Sequence, residues 1–230
     1  MRVGLQKLTL LDYPGETACT VFTCGCNFRC PFCHNAMLVD GREADMPVST
    51  SELLDFLAAR RKILDGVCIT GGEPLLHREL PDLINSIKVL GYKVKLDTNG
   101  SKPEILRSLL EQRAVDYVAM DIKHSKEKYA LASGTENMLD KVCESVELLK
   151  NTAVECEFRT TVVSPLHTPE DIGLIARWLA GADRYCLQNY KDSGDILAPR
   201  EDFSPVSPET LELMRAAAAE WIPGVIVRGR

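Results

Sequence analysis

Two rhythms of apolar residues alternate along this chain. Short runs rich in β-branched and aromatic residues occupy positions 17–23, 66–70, 92–98, 116–122, 154–163 and 184–190. Between and after them lie stretches in which apolar residues recur every three or four positions, at 51–64, 79–90, 103–112, 137–151, 169–180 and 208–221. The first rhythm predicts strands and the second predicts amphipathic helices. Four helix starts carry a local signal. Ser49, Thr50 or Ser51 precedes Glu52, and Pro103, Pro169 and Pro208 each stand near a first helical position with a Glu next to them. Six strand-then-helix units without a long linker predict a parallel sheet covered by helices in one domain, residues 1–230. A closed eight-unit barrel takes ~250 residues, so six units in 230 fit a partial, TIM-like (β/α)6 barrel better. Residues 197–208, with three prolines, predict an ordered loop or cover. Residues 225–228 predict a short last strand, so that 197–230 would cover or extend the barrel.

Composition narrows the partners more than the fold. With 45% hydrophobic and 26% charged residues the chain can bury a full core. Its 27 Lys and Arg face 33 Asp and Glu, a net charge of −6, so no overall field draws it to nucleic acid or an anionic membrane. No apolar run approaches the ~20 residues that span a bilayer, and the first eleven residues lack the basic and apolar regions of a leader. The expected location is the cytoplasm. There the nine cysteines are thiols or ligands rather than a disulfide framework.

Three of those cysteines carry the chemistry. Cys26, Cys30 and Cys33 are separated by three residues and then by two, in the loop after the first predicted strand. In parallel α/β architectures that rim is where sites are built. Three thiolates do not saturate a four-iron cluster or a zinc ion, which normally take four ligands, and His34 adjoins Cys33 too closely to be a comfortable fourth. Cys19, Cys24, Cys68, Cys143, Cys156 and Cys186 are scattered singly, as small apolar core residues often are. His34, His77, His124 and His167 are dispersed and read as structural or solvent-facing. At the second strand's end stand Gly71, Gly72, Glu73 and Pro74, where two glycines allow close backbone approach and a carboxylate can receive an ammonium. The third and fourth strands end in Asp97-Thr98-Asn99-Gly100 and Met120-Asp121-Ile122-Lys123. Taken singly, Asp97 reads equally as a turn or cap residue and Lys123 as a solvated charge.

The cysteine spacing, the aromatic Phe32 before the last cysteine, and Gly71 to Pro74 resemble the radical S-adenosylmethionine superfamily. That resemblance implies its partial barrel and one 4Fe-4S cluster on Cys26, Cys30 and Cys33, whose fourth iron is chelated by S-adenosylmethionine. It implies that Glu73 and the Gly71-Gly72 backbone, with Pro74, receive the ammonium, that Lys123 and Arg159 balance the carboxylate or bind ribose, and that Phe32 and the His34 backbone flank adenine. Reductive cleavage of the sulfonium would then yield a 5′-deoxyadenosyl radical that abstracts hydrogen.

The later strand ends are similar to the glycyl-radical-enzyme activases, exemplified by the pyruvate formate-lyase activating enzyme. There the residues matching Asp97, Thr98, Met120 and Asp121 surround a monovalent cation, a hard ion suited to oxygen ligands. The sixth strand departs from the activase pattern, offering Gln188 or Asn189 where a histidine is expected. Over nearly its whole length, from Gly4 and Asp12-Tyr13-Pro14-Gly15 onward, the chain resembles the anaerobic ribonucleoside-triphosphate reductase activating proteins. This implies a glycyl-radical enzyme as protein substrate and a flavodoxin- or ferredoxin-type electron donor. The alternatives are a small-molecule radical enzyme such as 7-carboxy-7-deazaguanine synthase, and a noncatalytic scaffold whose cysteines hold zinc.

Overall fold

The computed structural model describes residues 1–191, 196–197 and 203–229. The expected cover at 197–208 lies partly outside these described residues. Among the described residues nine strands form one sheet in the order β3-β1-β2-β4-β5-β6-β7-β8-β9. They are β1 (Arg2–Thr9), β2 (Ala18–Thr23), β3 (Val48–Ser49), β4 (Gly66–Gly71), β5 (Lys93–Thr98), β6 (Tyr117–Asp121), β7 (Glu155–Val162), β8 (Tyr185–Asn189) and β9 (Val225–Arg228). From β2 to β9 all neighbours are parallel, whereas β1 pairs antiparallel with both β2 and β3. The edge strands β3 and β9 do not meet, so the barrel is partial, as six units in this length predict.

The helices are α1 (Ala36–Val39), α2 (Thr50–Ala58), α3 (Leu80–Val89), α4 (Pro103–Glu111), α5 (Tyr129–Ser133), α6 (Leu139–Lys150), α7 (Pro169–Trp178) and α8 (Pro208–Ala219). Six of them follow the six predicted strands. The first predicted helix, 51–64, runs too far: α2 stops at Ala58, and residues 59–64 turn instead, because Arg60, Arg61 and Lys62 present no apolar face. Capping boxes start α2 at Ser49 with Glu52 and α7 at Thr168 with Asp171, each satisfying donors the first turn leaves open. β1 escapes the sequence pattern because Gly4, Gln6 and Lys7 dilute its apolar alternation. α5 escapes it because five residues show no period.

Strand side chains alternate between two faces. Val67, Ile69, Val94, Leu96, Val118, Met120, Phe158, Tyr185 and Leu187 point to the helices and join one apolar cluster that runs from Val3 to Ile222. The residues between them point the other way and are largely polar: Thr20, Cys68, Lys95, Asp97, Asp121, Glu157 and Arg159. The lower part of this second face is closed by the β1–β2 turn, whose buried Tyr13 packs near Tyr117 with ring centroids 6.1 Å apart. Gly66 is required there, since a Cβ would lie 2.9 Å from the Tyr13 ring. No helix among the described residues is long and apolar enough to cross a membrane.

Candidate functional site

The upper part of the polar face opens into a cleft of about 880 Å³, part of it open to solvent. Its walls include Cys26, Cys30, Cys33, Phe32, His34, Gly71, Gly72, Asp97, Thr98, Asn99, Asp121, Lys123 and Arg159. Parallel strands point their carboxyl ends at this rim, so residues as far apart in sequence as Cys26 and Arg159 meet there.

The cysteine loop is fixed from three directions. Gly25 and Cys26 donate their N–H groups to the carbonyls of Leu38 and Val39 at 2.7 and 3.1 Å, which folds the loop back over α1. From β4, Gly72 N–H reaches Thr23 O at 2.9 Å and Glu73 N–H reaches Gly25 O at 2.8 Å. Both glycines are needed for that approach. A Cβ on Gly71, whose φ is +123°, would stand 2.2 Å from Thr23 O, and one on Gly72 would stand 2.1 Å from Gly25 O. The Gly-Gly pair therefore seats the cysteine loop against β4. From the far side, α5 braces the loop. Ser133 O accepts from Arg29 N–H at 2.8 Å and from Cys30 Sγ at 3.7 Å, and Thr135 Oγ1 donates to Asn27 O at 3.2 Å. Gly134, with φ +62°, lets α5 end against the Arg29 carbonyl. Neither α5 nor Gly134 is recognisable from local sequence, because the brace is a contact across about a hundred residues.

The three thiols suit an iron–sulfur cluster. All nine cysteines are free thiols. Among the described residues, no three His, Cys, Asp or Glu side chains converge to hold a single ion. A four-iron cluster instead takes each thiolate on its own iron. Burial pushes the Cys30 thiol up to about 12 and also raises that of Cys26, and a bound metal would stabilise their thiolates. Cys24 is buried outside the cleft lining, its carbonyl taking a 2.8 Å hydrogen bond from His77 Nε2.

Opposite the cysteines is a row of alternating charges. Register sets Asp121 beside Arg159. Arg159 donates Nε–H to Asp121 at 2.9 Å and Nη1–H to Asp97 at 3.1 Å, Lys123 reaches Asp121 at 3.1 Å, and Lys95 closes on Asp97 from below. Although burial alone would raise it, Arg159 and Lys123 hold the Asp121 carboxyl well below the usual carboxylate range. Lys123 and Arg159 stay charged despite burial because the same carboxylates face them. Three cations thus meet two carboxylates, leaving an excess positive charge. That balance suits an incoming carboxylate. Of the other residues expected around a monovalent cation, Met120 lies on the helix side, fully buried beneath Gly100, and Thr98 gives its hydroxyl to Glu73 at 2.8 Å.

Glu73 and Pro74 lie behind the cleft wall. Pro74 is buried in a short 3₁₀ turn, and the fully buried Glu73 carboxylate accepts from Leu75 N–H at 3.1 Å, Thr98 Oγ1 at 2.8 Å and Asn99 N–H at 2.7 Å. Burial outweighs those donors and pushes its pKa up to about 7. On β8 the alternation separates Gln188 from Asn189. Asn189 exchanges two 3.0 Å hydrogen bonds with the Val206 backbone, whereas Gln188 pairs in register with Thr161 and Arg228 on the cleft side.

The histidines are less dispersed than their spacing predicts. His124 and His167 stack at 4.7 Å, and His167 donates Nε2–H to the Lys123 carbonyl at 2.9 Å while its Nδ1 accepts from Val163 N–H at 3.3 Å. Burial and the neighbouring His124 push His167 down to about 4, so it is neutral and holds the end of β6. Phe32 meets His167 edge to face at 6.1 Å, and the His34 ring stacks on Tyr190 at 4.9 Å, joining the cysteine loop to the end of β8.

The model of the Radical SAM superfamily matches residues 20–179, which contain every cleft element but β8. A Methanocaldococcus jannaschii protein that carries the provisional name glycyl-radical enzyme activating enzyme is 32% identical over 98% of this chain and 94% of its own length. The 7-carboxy-7-deazaguanine synthase of Aquifex aeolicus is 39% identical, but over 34% of this chain and 33% of its own. Among solved structures, Streptococcus suis SuiB bound to S-adenosylmethionine superposes on 90% of this chain with a TM-score of 0.70 at 15% identity. The chain spans about half of that protein's length, so the likeness is one of fold.

Proposed function

The chain belongs to the radical SAM superfamily, and from that premise we propose that it is a glycyl-radical-enzyme activating enzyme. Its protein substrate would be a glycine-bearing loop of an anaerobic ribonucleoside-triphosphate reductase, and its electron donor a flavodoxin or ferredoxin. The observation that carries the reading is the cleft itself, which places three unpaired thiols opposite a net-positive row of ion pairs on an open rim. When bound, a 4Fe-4S cluster and S-adenosylmethionine supply reductive cleavage to a 5′-deoxyadenosyl radical, chemistry that belongs to the cofactors.

The chain's own residues hold and orient. Cys26, Cys30 and Cys33 would ligate the cluster. Lys123 and Arg159, kept charged by Asp97 and Asp121, would meet the cosubstrate carboxylate or ribose. The Gly71-Gly72 backbone would face the ammonium, with the buried Glu73 carboxyl behind it. Phe32 and the His34 backbone would line the adenine position, and Gln188 would offer the neutral hydrogen bond that replaces the activase histidine. Hydrogen abstraction needs no general acid or base among these groups.

The full-length similarity to a relative named for glycyl-radical enzyme activation supports this target class over its rival. A second reading, small-molecule chemistry as in 7-carboxy-7-deazaguanine synthase, draws on similarity over a third of the chain. The test is anaerobic incubation of the reconstituted protein with reductant, S-adenosylmethionine and candidate partners. A glycyl radical signal on anaerobic ribonucleotide reductase is expected. Production of 5′-deoxyadenosine without a radical on any glycyl-radical enzyme would overturn the activase assignment in favour of a small substrate.

A further inference from the structure

The motif at the end of β5 holds a side chain with no role in the account so far. Asn99, 6% exposed, lines the cleft at the end of β5. Its side-chain Oδ1 accepts from Ser101 N–H at 2.9 Å. That bond fixes the amide orientation, since only oxygen can accept there. The two Nδ2 hydrogens must then face the other way, and both have acceptors: Asn27 Oδ1 at 3.1 Å and Cys26 Sγ at 3.8 Å. Asn99 is itself anchored through its backbone N–H to Glu73 Oε2. Asn27, on the cysteine loop, is pinned a second time by Ser101 Oγ.

The three sulfurs are therefore not equivalent. Cys26 is faced by two N–H donors, from the Phe28 backbone at 3.4 Å and from Asn99. Cys30 faces a carbonyl, that of Ser133. Hydrogen bonds to ligand sulfurs are among the quantities that set a cluster's reduction potential, because a donor stabilises the state with more negative charge. We infer that Asn99 is a positioning residue that donates to the Cys26 sulfur and raises the potential of the cluster, so that a cellular one-electron donor can reduce it. This rests on the cluster assignment made above. The step is the uptake of one electron by the cluster from an external donor, with no bond made or broken and no proton moved.

The experiment is a mediated dithionite titration of the anaerobically reconstituted full chain, followed by electron paramagnetic resonance. Asn99→Ala and the similarly sized Asn99→Leu are compared with wild type and with Ser101→Ala, which loosens the Asn27 pin but keeps the Ser101 N–H that orients Asn99. Both Asn99 variants are expected to carry the cluster and to show the ratio of reduced to oxidised cluster lowered up to about tenfold at a fixed poise, ~59 mV for a one-electron couple. Ser101→Ala should stay at the wild-type potential. Loaded Asn99 variants with the wild-type potential would overturn the inference, as would an equal shift in Ser101→Ala, which would make the effect one of loop packing. Folded Asn99 variants that bind no iron would overturn it too, making Asn99 a requirement for assembly. Wild-type protein that binds no iron and sulfide would instead sink the cluster assignment itself.

Discussion

The two faces of the same sheet obey opposite rules. On β5, Val94 and Leu96 are fully buried against the helices, while their neighbours Lys95 and Asp97 point into the polar face. Lys95 is only 1% exposed, yet its Nζ pairs with the Asp97 carboxyl. The helix side gains from area removed from water, at roughly 25 cal/mol per Å². The cleft side gains little net stability, since buried ion pairs barely repay their desolvation. What it obtains is a fixed field. One face makes the fold and the other is kept polar for binding, so substitutions on the two should separate stability from chemistry.

The sharpest separation is expected at the rim. Cys30→Ala should abolish the iron–sulfur absorbance and reductive cleavage of S-adenosylmethionine, with the far-ultraviolet circular dichroism unchanged. Survival of both activities would remove Cys30 from the ligand set. Next come adjacent residues of β5. Leu96→Ala should cost about 2–5 kcal/mol in denaturant unfolding. Lys95→Met should cost about 1 kcal/mol or less, because Asp97 retains Arg159 and the replacement fills the same space. Equal costs would erase the distinction between the faces.

Asp121→Ala should leave the cluster and the fold in place while weakening S-adenosylmethionine binding about tenfold, ~1.4 kcal/mol by calorimetry, because Arg159 and Lys123 lose the partner that orients them. Glu73 gives a pH signature. Its folded pKa of about 7 lies above the ordinary 4.5, so its contribution to stability is full below pH 4.5 and is lost as pH rises through 7, on the order of 3 kcal/mol. His167 has the opposite sign. Its folded pKa of about 4 lies below 6.5, so its contribution is present above 6.5 and is lost on acidification toward 4. The wild-type profile mixes the two, but the stability of wild type relative to Glu73→Gln should rise as pH falls from 7.5 to 4.5; a constant difference would count against Glu73 titrating there. The smallest effect is the exchange of sodium for potassium, which should leave turnover unchanged at constant ionic strength. A strong preference would show that the excess positive charge beside Asp97 and Asp121 does not repel a cation.

Much of this arrangement is legible locally. The six strand–helix units, the proline-marked helix starts and the last strand at 225–228 emerge from periodicity, because each is a property of contiguous residues. β1 and α5 do not, since one has diluted alternation and the other is too short for a period. The glycine pair at 71–72 is recognisable as a motif, but its stated use, approach to a ligand, omits the nearer neighbour, the cysteine loop. Asn99 stands within a motif whose neighbours drew attention through their charge. An uncharged amide gives no such signal, and Tyr190 at the end of β8 gives none either.

Local sequence carries the chemical inventory: three thiols on one loop, a Gly-Gly turn, and carboxylates and cations at successive strand ends. Their spacing is covalent and survives any change of conformation. Which of these groups face one another was decided only by tertiary structure. Arg159 joins Asp97 and Asp121, Ser133 supports Cys30, and Asn99 turns its N–H to Cys26, contacts spanning 38 to 103 residues. The register of parallel strands and the closing of loops over their ends set those pairings, and a one-residue slip would turn every one of these strand side chains to the opposite face.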